Sequence, residues 1–333
     1  MLVKDVVIIG AGPVGLFTVF QAGMLKLSSC VVDVLPHIGG QCSALYPEKP
    51  IYDIPGFSKI NAQDLIENLE KQASPFDAEY FLGRECINIK KESNNWIVTT
   101  TKEKIKAKTI IIAAGAGSFE VRKPPIKGIS EFENKSVFYN VINKDKFKNK
   151  VVTIAGGGDS AIDWALILAS GIAKKVYLIH RRDKFRASPK NIERLNQLKI
   201  DNHLEIISPF NLKSLKGNNG VLTEIIVENL DGEERSLKSD YLLPFFGMNM
   251  NIGTIQNWNL EVENKHISVD PSSMETNLNG VFAIGDICNY PGKLKLILTG
   301  FSEAAVACHA AYAIIHPDTP LHFEYSTTKG IHK

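Results

Sequence analysis

The 333 residues carry a net charge of +2, with 44% hydrophobic and 22% charged side chains. That is an ordinary globular balance, long enough for two domains, and it offers no basic face for nucleic acid or an anionic membrane surface. No apolar run reaches the roughly 18 residues of a bilayer-spanning helix and no secretory signal opens the chain, so neither nucleic acid nor membrane is an expected partner and the expected setting is the cytoplasm.

The first element is an apolar run at 6–9, expected to be a short buried strand. It runs into Gly10, Gly12, Pro13 and Gly15, a G-x-G-x-x-G, and from Leu16 onward helix formers present an apolar face. Gly10 permits the tight turn, Gly12 lets backbone approach a pyrophosphate, and Gly15 lets helix and strand pack closely. The phosphates of a dinucleotide then meet free N–H groups at a helix N-terminus. A second strand, in "SSCVVDVLP", ends at Asp33, 18 residues after Gly15. A carboxylate at that place accepts hydrogen bonds from ribose hydroxyls.

A strand at 109–113 follows, running into Gly115 and Gly117. Then "KVVTIAGGGDSAIDWALILA" repeats the first pattern. The strand is 151–155, Gly156, Gly158 and Ala161 form G-x-G-x-x-A, and Ile162 begins the apolar helix face. The next strand, 175–179, ends in His180, Arg181 and Arg182, with Arg186 four residues beyond. Where the first unit offers an acid, the second is read as offering arginine. Arginine grips a 2′-phosphate with paired hydrogen bonds, whereas Asp33 repels one. Two different dinucleotides are therefore expected, a tightly held FAD and an exchangeable NADPH, with hydride passing between them.

A strand at 281–284 ends in Gly285 and Asp286, an acid placed to reach a polyol hydroxyl, and residues 302–315 read as an alanine-rich helix whose N-terminus faces the flavin. The C-terminal third thus returns to the first domain. The expected division is an FAD domain, 1–115 and 247–333, with an NADPH domain, 116–246, inserted into it.

The five cysteines, Cys30, Cys42, Cys86, Cys288 and Cys308, form no C-x-x-C pair and no zinc-ligand spacing. They read as reduced, buried thiols, and no metal site is expected.

These motifs, in this order and over almost the whole chain, resemble the two-domain thioredoxin-reductase-like flavoproteins, an α/β fold of two Rossmann-like dinucleotide-binding domains. One departure is informative. Thioredoxin reductases carry a C-x-x-C shortly before the second glycine turn, and the matching stretch here, 136–150, has no cysteine. Glutathione-reductase-like enzymes carry C-x-x-x-x-C near the first flavin strand, but five positions after Cys42 stands Pro47. The segments "GGQCSALYPEK" and "SSMETNLNGVFAIGD", and the tail 317–333, are similar to type 2 ferredoxin–NADP⁺ reductases. That resemblance implies flavin contacts at Asp33, Gln41, Tyr46, Cys86, Phe119, Asp286 and Thr327. It places Tyr46 and Tyr325 on opposite faces of the isoalloxazine. NADPH is expected on Gly157, Gly158, Asp159 and Ser160, with Arg181, Arg182 and Arg186 on its phosphate.

The resemblance further implies a homodimer that exchanges electrons with ferredoxin or flavodoxin, with no side chain acting as acid or base. The alternatives are an NADPH-dependent flavoprotein that reduces a disulfide or a quinone, and a flavin redox sensor without turnover.

Overall fold

A computed structural model describes residues 1–187, 189–200, 203–319, 321 and 330. In chain order the elements are β1 (Leu2–Ile9), α1 (Pro13–Met24), β2 (Ser29–Asp33), α2 (Gln41–Ala44), α3 (Ala62–Ala73), β3 (Glu79–Leu82), β4 (Cys86–Glu92), β5 (Asn95–Thr100), β6 (Lys104–Ile112) and β7 (Ser118–Val121). There follow β8 (Val151–Ala155), α4 (Asp159–Ala169), β9 (Lys175–Ile179), α5 (Pro189–Ile200), β10 (Leu204–Ile207), β11 (Asn211–Asn218), β12 (Val221–Glu228), β13 (Glu234–Lys238), β14 (Tyr241–Pro244) and β15 (Met248–Asn251). The last are β16 (Val281–Ala283) and α6 (Ile297–Ile315).

The chain forms two units, Met1–Phe119 with Met250–Lys333, and Glu120–Asn249. The inserted unit begins at Glu120 rather than 116 and ends at Asn249 rather than 246. The reason is a two-stranded ribbon of β7 and β15, through which the chain leaves and returns.

In the first unit the sheet order is β3-β2-β1-β6-β5-β4, and β16 also pairs β6. β1, β2, β3, β6 and β16 run parallel, while β4 and β5 form an antiparallel edge. The central strands are continuously apolar over their second halves, at 6–9 in β1 and 110–112 in β6, because both faces are covered there. Val7, Ile9, Val32, Ile110 and Ile112 face a cluster with Trp96 and Trp258. The alternate residues Val6, Ile8, Val31 and Ile111 face Val19 of α1 and Ala304, Ala307 and Ala311 of α6. The small residues let the two helices approach closely: a Cβ on Gly300 would stand 2.4 Å from Val14 Cγ2.

Two expectations change here. α6 starts at Ile297, not at residue 302. Ile297, Thr299 and Gly300 are poor helix formers, and the packing of Ile297 and Gly300 outweighs that propensity. The same helix is long and apolar enough, by length and composition, to cross a membrane, contrary to the reading that no segment is. Within this unit it packs on α1, with Gly300, Glu303, Ala304, Ala307, Cys308 and Ala311 buried.

The second unit repeats the design at smaller scale. Four parallel strands run in the order β10-β9-β8-β14, and a separate antiparallel sheet is ordered β11-β12-β13. Ile162, Ala165, Leu166 and Ala169 of α4 are buried with Val152, Ile154, Val176 and Leu178.

Candidate functional site

The first glycine turn opens where β1 ends. The N–H of Gly10 donates to Val32 O at 2.8 Å, so the chain turns away from the sheet immediately after Ile9. Gly10 has φ +114°, and a Cβ on it would stand 2.4 Å from Ala113 O. A Cβ on Gly15 would stand 1.9 Å from Gly10 O, so only glycine lets α1 sit this close to the turn. Gly12 is different: a Cβ there meets nothing within 4 Å. It caps α1 with no side-chain hydrogen bond to the helix, and Pro13 is the first helical residue. The first-turn N–H groups are therefore open to an anion.

A cavity of about 540 Å³ lies over this turn, lined among others by Gly10, Gly12, Pro13, Asp33, Cys86 and Asp286. That volume suits a cofactor-sized ligand. At one end, Asp33 Oδ2 accepts the Ala11 N–H at 2.6 Å and Oδ1 accepts the Leu35 N–H at 2.7 Å. Each oxygen keeps a lone pair for a further donor. Burial raises the pKa of Asp33 above the usual carboxylate value, against the lowering effect of those two N–H groups. Arg84 also lines this end. Its Nε donates to both Glu103 oxygens, at 2.8 and 2.9 Å, and its Nη1 to Leu82 O at 2.8 Å. Arg84 is thus occupied by its own acid, and Asp33 sets the charge at this end of the cavity.

Beyond the turn, Gln41 and Tyr46 line the cavity with Gly40, Leu296 and Ile297. The N-terminus of α6 reaches the cavity through these last two residues rather than through Ser302. Cys86 is buried at the Asp33 end, where its carbonyl accepts the Thr254 hydroxyl at 2.6 Å. Thr254 and Trp258 line the same end. Sequence reading missed them, because nothing in their spacing marks a site. The backbone of Phe119 is in β7, but its side chain lies outside what is described. Tyr325 and Thr327 lie outside the described residues.

The second glycine turn has its own logic. Gly156 N–H donates to Ile179 O at 3.0 Å, matching Gly10 and Val32. Ala155 pairs with Ile179 as Ile9 pairs with Val32. The residue equivalent to Asp33 is therefore His180, not an arginine, and this corrects the sequence reading. The histidine ring occupies the space that a Cβ on Gly157 would need, 2.2 Å from Cε1. It also stacks on Phe185, with centroids 5.1 Å apart. Arg181 and Arg182 come next, and Arg186 is tied back by its N–H to Gly157 O at 2.7 Å. All three arginines are exposed, as are Gly158, Asp159 and Ser160. Gly158 caps α4 without a side-chain hydrogen bond, again leaving first-turn N–H groups open.

Burial lowers the pKa of His180 below 6.5; a hydrogen bond with the Lys184 backbone opposes this, and the charges of Arg181, Arg182 and Arg186 add to it. Below pH 6.5 the unfolded chain therefore takes up a proton that the folded unit resists, so stability is lost as pH falls through that range. Urea unfolding followed on either side of that pH should show the loss, and His180→Phe, which keeps the stack on Phe185, should flatten it. An unchanged slope in the variant would show that His180 is not the group responsible.

All five thiols are free and buried. Burial pushes Cys30, Cys86, Cys288 and Cys308 up to about 12 and Cys42 up to about 11. At neutral pH none is a ready thiolate nucleophile.

Residues 4–310 match the pyridine nucleotide-disulphide oxidoreductase family. A ferredoxin–NADP reductase of Anaplasma phagocytophilum is 52% identical over 331 residues, 99% of this chain and 98% of that protein. One of Ehrlichia chaffeensis is 53% identical with the same coverage. The crystal structure of Lactococcus lactis thioredoxin reductase superposes with a TM-score of 0.79 at 25% identity, covering 94% of this chain and 99% of that one. Two glycine turns on two parallel sheets, matched along nearly the whole length, place the chain in the pyridine nucleotide-disulphide oxidoreductase family.

Proposed function

We propose that the chain is an FAD-dependent reductase that moves electrons between NADP(H) and ferredoxin, with flavodoxin as the other candidate carrier. One observation carries this reading: two equivalent glycine turns are answered by opposite charges. Asp33 stands over the first, and Arg181, Arg182 and Arg186 gather at the second. The names of the relatives at 52–53% identity support the acceptor.

Both sites fit their cofactors. In the first unit, open N–H groups of α1 receive a pyrophosphate, and Asp33 accepts the adenosine ribose hydroxyls. Gln41, Tyr46 and Asp286 line the remaining space, where a ring system fits. In the second unit, the first turn of α4 takes the pyrophosphate of NADP(H) at Gly157, Gly158, Asp159 and Ser160, and the arginines take the 2′-phosphate. Bound FAD supplies the hydride acceptor and the one-electron outlet, chemistry that belongs to the cofactor. The chain's own residues bind and orient, and none is required to move a proton. On this reading the first unit is the FAD domain and the second the NADPH domain.

The thiols bear on the acceptor. A disulfide-reducing relay needs a reactive dithiol, and the five buried thiols are held protonated. Free thiols also support a reducing, cytoplasmic setting. The resemblance to type 2 ferredoxin–NADP⁺ reductases supports a homodimer, which sedimentation of the full chain checks.

The purified protein should be yellow and release FAD, not FMN, on denaturation, because Asp33 has work only if an adenosine is bound. Cys42→Ser should retain FAD and leave NADPH-dependent dye reduction unchanged. Released FMN would overturn the assignment of the first site, and a collapse of flavin reoxidation in Cys42→Ser would restore a thiol mechanism.

A further inference from the structure

A buried ion pair lies behind the cavity. Glu303 is the one Asp, Glu, Lys or Arg in α6. Its side chain is 3% exposed, and that of its partner Lys293 is 2% exposed. Glu303 Oε2 accepts the Gly285 N–H at 2.7 Å. Oε1 accepts the Tyr290 hydroxyl at 2.6 Å and the ammonium of Lys293. The Cys288 thiol lies 3.7 Å from Oε2.

Every one of these donors belongs to the segment that joins β16 to α6. Both ends of that segment line the cavity, Gly285 and Asp286 at one end and Leu296 and Ile297 at the other. One carboxylate therefore ties Gly285, at the start of the segment, to Tyr290 and Lys293 further along it. Stability alone does not account for the charges, since a buried ion pair is often no better than a well-packed apolar pair. The segment that the pair braces carries Asp286, whose charge acts on Cys42 and Tyr46, and so it belongs to the Tyr46 side of the cavity.

We propose that Glu303 and Lys293 are positioning residues for the flavin end of the cavity, and that their balanced charges tune how readily a flavin held there accepts electrons. The inference rests on the FAD reading given above. An electron added to a bound flavin brings negative charge to this end. A carboxylate without its ammonium opposes that charge, and an ammonium without its carboxylate favours it. Removing either partner should thus move the flavin in opposite directions, whereas a merely structural pair would move it in one direction or not at all.

The test is a spectroelectrochemical titration of the FAD-loaded protein at a pH well above the carboxylate range. Glu303→Gln should raise the flavin midpoint potential, Lys293→Met should lower it, and the double variant should return close to the parent. Single variants that shift together, or not at all, with FAD bound overturn the proposal. If a single variant fails to retain FAD, the double variant decides. Retention of FAD near the parent potential supports charge balance, and loss of FAD there overturns it. A parent protein without FAD overturns the function assigned to the first site and this inference with it.

Discussion

Gly12→Ala should fold as the parent does and lose FAD, whereas Gly15→Ala should lose both stability and FAD. Gly12 has φ −71° and ψ −178°, a conformation alanine adopts freely, and its added Cβ meets no protein atom within 4 Å. The methyl group would project where a pyrophosphate approaches, so the damage falls on the cofactor. At Gly15 the added Cβ would stand 1.9 Å from the backbone oxygen of Gly10. Backbone cannot swing aside as a flexible side chain can, so α1 must shift off the turn. Overpacking of this kind costs about 1–3 kcal/mol, and each kcal/mol lowers Tm by about 2–4 °C in a domain of this size. Thermal melts of the apoproteins, with FAD titrations alongside, separate the two effects. Gly12→Ala binding FAD as tightly as the parent would show that the pyrophosphate lies elsewhere.

Arg181→Ala combined with Arg182→Ala should raise the KM for NADPH and leave NADH nearly untouched. Hydrogen bonds to charged groups contribute about 1.5–3 kcal/mol each. These side chains are exposed, so the low end applies and salt weakens it further. Even one such bond is worth about tenfold in affinity, so the pair sets a preference for NADPH of roughly tenfold or more. Arg186→Ala isolates the third guanidinium, because the N–H bond from residue 186 to Gly157 O survives the substitution. Equal losses for NADPH and NADH would mean that the arginines touch a group the two cofactors share.

Much of this architecture is legible in the chain because glycine spacing encodes how closely backbone, helix and phosphate must approach. Strands β8 and β9 fall where the apolar runs predict them, and the acid ending β2 reaches back to the turn as its spacing requires. The start of α6 was hidden, since Ile297, Thr299 and Gly300 argue locally against a helix and the contacts of Ile297 and Gly300 with α1 decide otherwise. His180 was misread for a different reason. Only the register of β8 against β9 shows that the histidine, not the arginine, stands over the turn. Its signature was the run of three glycines, because Gly157 is glycine to make room for that ring. Arg84, between β3 and β4, meets Glu103, between β5 and β6, and Lys293 meets Glu303 across a loop. A single acid in an apolar helix was the available signal for the second pair, but its partner is visible only in three dimensions.

The central claim is tested most directly by anaerobic mixing of the FAD-loaded protein with NADPH and then with oxidised ferredoxin, following flavin and iron–sulfur absorbance together. The account predicts that NADPH bleaches the flavin far faster than NADH does, that ferredoxin restores the flavin colour, and that one ferredoxin is reduced for each electron delivered. A flavin that NADPH bleaches but ferredoxin leaves reduced, while a disulfide or quinone reoxidises it, would contradict it.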